Sequence, residues 1–85
     1  MTVEQIEKFI DQHVKDTQKT VKISFKTRNH VSGIFIQSVA DYDELKKKNF
    51  WRIVTSAHLE NYERSKDLNH SRMFSGTEFT KLSLQ

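Results

Sequence analysis

From Val3 to Val14 the apolar residues Val3, Ile6, Phe9, Ile10 and Val14 recur at helical spacing, with charged and polar residues between them. Thr2 followed three positions later by Gln5 has the form of a capping box, so a helix is predicted over about residues 3 to 16, within an N-terminal segment 1–17. Glu4 and Glu7 near its start, and Lys15 and Lys19 near or beyond its end, suit the helix dipole. Past Thr20 the period drops to two. Val21, Ile23 and Phe25 alternate with Lys22, Ser24 and Lys26, the pattern of a half-buried strand. A second strand, His30 to Ile36, follows Arg28-Asn29, and the tolerance of Asn for positive φ predicts a tight hairpin turn there.

Gly33 stands inside that second strand, where a missing side chain marks a bulge, a sharp bend or a close approach of another backbone. Asp41 to Asn49 carries acids first and bases last, with Asp41 and Glu44 spaced as a cap and its partner, which reads as a short helix or an ordered charged loop. A third strand is expected from Phe50 to Leu59, with Trp51, Ile53, Ala57 and Leu59 on one face and Phe50 and Val54 on the other. Residues 60–70 are polar and without a strong period, and read as a long loop or a strand extension. Arg72-Met73-Phe74, a Ser75-Gly76 turn and Glu78 to Leu84 close the chain, with Phe79, Leu82 and Leu84 expected inside.

The whole is expected to be a single domain over residues 1–85, mainly β with an N-terminal α-helix. A small antiparallel five-stranded barrel spans residues 20–85 and carries a charged insertion at 41–49. With 35% hydrophobic residues the core must be thin, but six Phe, two Tyr and one Trp supply enough apolar area to favour folding over disorder. The absence of cysteine excludes a disulfide framework, a thiolate zinc site and a cysteine nucleophile. No apolar run approaches the length a spanning helix needs, and Met1 to Gln5 lacks signal-peptide character, so no membrane association and a cytoplasmic location are expected.

The order of these signals resembles the Sm-like family of small SH3-like barrels. Thr20 to Phe35 looks like that family's first hairpin, with a charged turn followed by an apolar residue and a glycine. Arg72-Met73-Phe74-Ser75-Gly76-Thr77-Glu78-Phe79 looks like its closing hairpin. The resemblance implies a five-stranded barrel with a leading helix, commonly assembled into rings that bind single-stranded RNA. The family uses an aromatic or histidine with an asparagine after the second strand, and an arginine just before the closing-turn glycine. Here Ser75 occupies the arginine position and the loop after the second strand is enlarged, so the nucleotide pocket does not carry over.

The candidate chemistry is sparse. His13, His30, His58 and His70 lie on separate elements without ligand spacing, and no metal or cofactor site is expected. Asp41, Asp43 and Glu44 lack the glycine and spacing of a calcium loop, and helix capping accounts for them. No serine stands in a nucleophile-elbow motif, and two glycines cannot build a phosphate loop, so no catalytic residue is assigned. The first expectation is therefore a non-catalytic binding or assembly module, a homo-oligomer formed through the closing-strand edges around Phe74 to Leu82, with RNA or a protein as a further partner. The alternative is single-stranded RNA binding through Lys22, Lys26, Arg28, His30, Lys46, Lys47, Lys48 and Arg52, given a net charge of +3 and neighbouring Phe50 and Trp51. A third reading is an enzyme whose site forms only between subunits, lined by the histidines or by Asp41, Asp43 and Glu44.

Overall fold

The computed structural model describes residues 1–13 and 19–84. Helix α1 (Val3–His13) opens with the expected capping box, in which Thr2 N–H donates to Gln5 Oε1 at 3.0 Å and Gln5 N–H to Thr2 Oγ1 at 3.2 Å. The expected continuation of this helix through Val14 and Lys15 lies outside the described residues. Five antiparallel strands follow: β1 (Val21–Phe25), β2 (Val31–Phe35), β3 (Phe50–Thr55), β4 (Arg72–Ser75) and β5 (Phe79–Leu84). They form one sheet in the order β4-β3-β2-β1-β5. The ladder does not close into a barrel, because β4 and β5 stand at opposite edges of the sheet.

The sheet is covered on both faces. Ile6 and Ile10 of α1 pack with Val21, Ile23, Phe35, Trp51, Ile53, Phe74, Phe79 and Leu82 into the larger core. Removing a side chain of this size from water contributes roughly 1.5–3 kcal/mol. On the opposite face Ile34, Ile36 and Val54 are covered by Tyr62, with Val39 and Leu59 against them. Tyr62 belongs to α3 (Leu59–Ser65), so the expected loop or strand extension over residues 60–70 is corrected to a helix followed by a 3-10 turn, Leu68–His70. The third strand accordingly stops at Thr55, and Ala57 and Leu59 do not continue its face. The outer face of β2 and β3 needed a cover, and burial of Tyr62 makes a short polar helix worth forming.

The first hairpin also differs from expectation. Asn29 does not adopt positive φ, and Ile23 pairs with Val31, leaving seven residues between them rather than a two-residue turn. Beyond Ile23, β1 turns away from β2 and stays paired with β5 alone, through Ser24 opposite Lys81 and Phe25 opposite Phe79. The register slips by one at that point, so Thr80 is an extra residue and β5 carries a bulge. Leu84, expected inside, is 44% exposed at the end of this edge strand.

Both glycines answer to close packing and neither has positive φ. A Cβ on Gly33 would run into the Val54 carbonyl oxygen and reach Thr55 Cα at 3.0 Å, so β3 lies over a position that only glycine fills. A Cβ on Gly76 would meet Asn49 Oδ1 and Ile6 Cδ1. Asn49 itself follows α2 (Tyr42–Lys47) at φ 61°, a left-handed position that ends the helix. From there its side chain accepts from Trp51 Nε1–H at 2.8 Å and donates to the Met1 carbonyl at 3.0 Å, while its carbonyl accepts from Gly76 N–H at 2.8 Å. One residue thus ties the end of α2, the buried indole and the β4–β5 turn together.

Candidate binding groove at the open edge of the sheet

Strand β4 has β3 on one side and no strand on the other. Gly76 donates to the Asn49 carbonyl, and hydrogen-bonded pairs alternate along an antiparallel ladder, so Phe74 and Arg72 continue the bonding to β3. The N–H and C=O groups of Met73 and Ser75 therefore point away from the sheet. Beside this edge runs a groove of about 230 Å³ with Met73, Phe74 and Ser75 on one wall, Phe25, Thr27 and Arg28 on the other, and Glu78 at its end.

The groove exists because the sheet curls. Phe25 at the end of β1 meets Phe74 with ring centroids 5.6 Å apart, and meets Phe79 edge-on at 5.4 Å, although β1 and β4 are not neighbours in the sheet. Arg28, reached by the wide loop after β1, lays its guanidinium carbon 5.1 Å from the Phe25 ring centroid and 5.6 Å from that of Phe74. Two ring faces within about 6 Å attract the cation and fix where it sits. Met73 is 48% exposed, and Phe50, on the same outer face of the sheet, is 38% exposed.

The structure separates the eight basic and histidine positions picked out by the sequence. Lys26, Arg28 and His30 are exposed together on the loop after β1, beside the groove. Lys22 is half-buried within β1 opposite Ser32 and Ser83. Lys46 is engaged by Glu7 at 2.8 Å, and this hydrogen bond is the main cause that raises its pKa above the ordinary lysine range. Arg52 is engaged by Asp41 at 2.8 Å. Asp41 therefore spends its carboxylate on Arg52 and makes no side-chain cap for α2, contrary to expectation. Lys47 and Lys48 are exposed on α2 and its C-cap. Trp51 is buried at 1% exposure and offers no stacking face, whereas Phe50 is exposed.

Sequence reasoning placed an association edge around Phe74 to Leu82, which includes Phe74, Ser75 and Glu78, but missed Phe25, Thr27 and Met73 as groove residues, because the two walls meet only once the sheet curls. Their one local trace is an aromatic, Phe25, three residues before an arginine. The four histidines sit in α1, the first loop and two 3-10 turns, and no group of three His, Asp or Glu among the described residues is placed to hold a metal. No helix among the described residues is long and apolar enough to cross a membrane. No family model matches the chain, nor does any curated protein or solved structure.

Proposed function

We propose that the protein is a non-catalytic association module that works by taking up a further strand along the open edge of β4. The observation that carries this reading is the outward direction of the Met73 and Ser75 backbone groups next to a groove with an exposed methionine and two aromatic rings in its walls. An unpaired strand edge is a template for pairing, and alternate side chains of an added strand would reach the groove. Reading the curled sheet as an open SH3-like or Sm-like barrel belongs to the same proposal, supported by the strand order and by a 3-10 turn, Gly76–Glu78, that links the two edges. A second copy offering its own open edge, β5, and a segment of another protein are the two sources of such a strand.

Light scattering over a range of protein concentrations, with selection of displayed random dodecapeptides against the full chain, tests the reading. Uptake of a strand is expected to raise the mass with concentration or to enrich peptides, and in either case to slow hydrogen exchange at the Met73 and Ser75 amides. Met73→Pro removes one outward donor without taking a bond from the β3 ladder, and should abolish uptake while the circular dichroism spectrum is retained. A chain that stays monomeric at about millimolar concentration and enriches no peptide would overturn the proposal.

The second reading, single-stranded RNA along the basic surface, is favoured by the joint exposure of Lys26, Arg28 and His30. It loses Lys46 and Arg52, whose charges are met by Glu7 and Asp41. It requires affinity for an oligouridylate that falls steeply between 50 and about 200 mM salt.

A further inference from the structure

Part of the molecule's unpaired positive charge lies at its open strand edge. Arg28, Lys26 and Arg72 are all exposed around the groove, and none forms an ion pair among the described residues. Of these, Arg28 alone is held by aromatic rings, lying over both Phe25 and Phe74. None of the described hydrogen bonds or ion pairs uses its N–H donors, and that planar fork matches a carboxylate or a phosphate.

Three features choose between those anions. At about 230 Å³ the groove is below the usual size of a small-molecule site, and suits one side chain of a longer ligand. Glu78 at its end opposes a doubly charged group more than a singly charged one. The Phe25 and Phe74 rings are occupied by Arg28 and Trp51 is buried, so the groove itself offers single-stranded nucleic acid no free stacking platform, and the exposed Phe50 is not among its lining residues.

We infer that the strand taken up along β4 is an acidic peptide segment, one of whose Asp or Glu carboxylates is bound by the Arg28 guanidinium while an adjacent apolar residue rests on Met73. This rests on the strand-uptake reading above and adds its chemistry. Arg28 is then the residue that selects the partner, and the β4 backbone is the part that is indifferent to sequence.

The test uses random dodecapeptides displayed on phage and selected against the full wild-type chain. Peptides carrying Asp or Glu at a recurrent position are expected to be enriched. A synthetic copy of the strongest should bind Arg28→Ala about tenfold or more weakly than wild type. Arg28→Lys should fall nearly as far, because it keeps the charge and loses the fork. Exchanging the peptide's acid for its amide should cost wild type a similar factor and cost Arg28→Ala nothing further. Arg28 is exposed on a loop, and an unchanged melting temperature in both variants would tie the losses to the ligand. Peptides enriched without an acid, bound equally by Arg28→Ala while the Met73 and Ser75 amides are protected, would overturn this inference and leave strand uptake standing. No enrichment together with a monomeric chain would overturn both. Tighter binding of a uridine dodecamer than of any selected peptide would overturn it in favour of the nucleic-acid reading.

Discussion

A methyl group added at Gly33 would press on the Val54 carbonyl oxygen, a backbone atom in a paired strand with no room to retreat. Gly33→Ala is therefore expected to cost about 1–3 kcal/mol, or more if β2 and β3 must part. At Gly76 the added atom meets Asn49 Oδ1, which holds the Trp51 indole, and the buried Ile6 side chain, so Gly76→Ala should be no milder. Urea denaturation of the two variants checks the comparison. The demand at Gly33 was legible as a glycine interrupting an apolar strand, with close backbone approach among its meanings. Asn49 was not legible, because its three partners, Met1, Trp51 and Gly76, come from separate parts of the chain. Burial of Val21, Ile23, Trp51 and Ile53 followed from alternation. Alternation alone does not say that Phe50, one residue before Trp51, has nothing laid over it.

Among the elements, α3 owes its place to one side chain. Tyr62→Ala should cost about 3–5 kcal/mol by uncovering Ile34, Ile36 and Val54, whereas Tyr62→Phe should be nearly neutral, since none of the described hydrogen bonds uses the hydroxyl. Chemical denaturation and loss of helical signal distinguish the two. This helix was hidden in the sequence because Leu59 and Tyr62 are its only apolar positions, and the uncovered sheet face that recruits them is formed by residues some twenty or more positions earlier as well as by β3. α2 joins the body through Tyr42 against Trp51 and Lys46 against Glu7. Burial raises the pKa of Tyr42 and the Glu7 bond raises that of Lys46. Both groups hold protons more tightly folded than unfolded, so the stability they supply is whole at neutral pH and is lost as pH climbs past about 10. The melting temperature should fall over that range, and Tyr42→Phe with Lys46→Gln should flatten the fall.

For the whole molecule, the leading helix and the strands were readable from hydrophobic period and turn residues, and the charge order of residues 41–49 left a short helix or an ordered loop there, of which the helix formed. The sheet's curl was not readable, because it depends on where β1 leaves β2, which no local pattern marks. The groove was half legible: the charge on Lys26 and Arg28 is plain, but which cations are neutralised depends on Glu7 and Asp41, far from them in sequence or set apart by a turn. The surplus residue in β5 bears on all of this. Phe79 and Leu82 are an odd number of places apart, and in an unbroken pleat they would face opposite ways. Both are nevertheless interior, because Thr80 absorbs the difference. Parity along this strand is thus kept by a residue whose own side chain is exposed. Deleting Thr80 should unfold the protein or expel Phe79 from beneath α1, as loss of a cooperative melt would report, while Thr80→Ala or Thr80→Ser should leave it close to unchanged. In this chain the number of residues between two anchors outweighs the chemistry of the one that makes up the count.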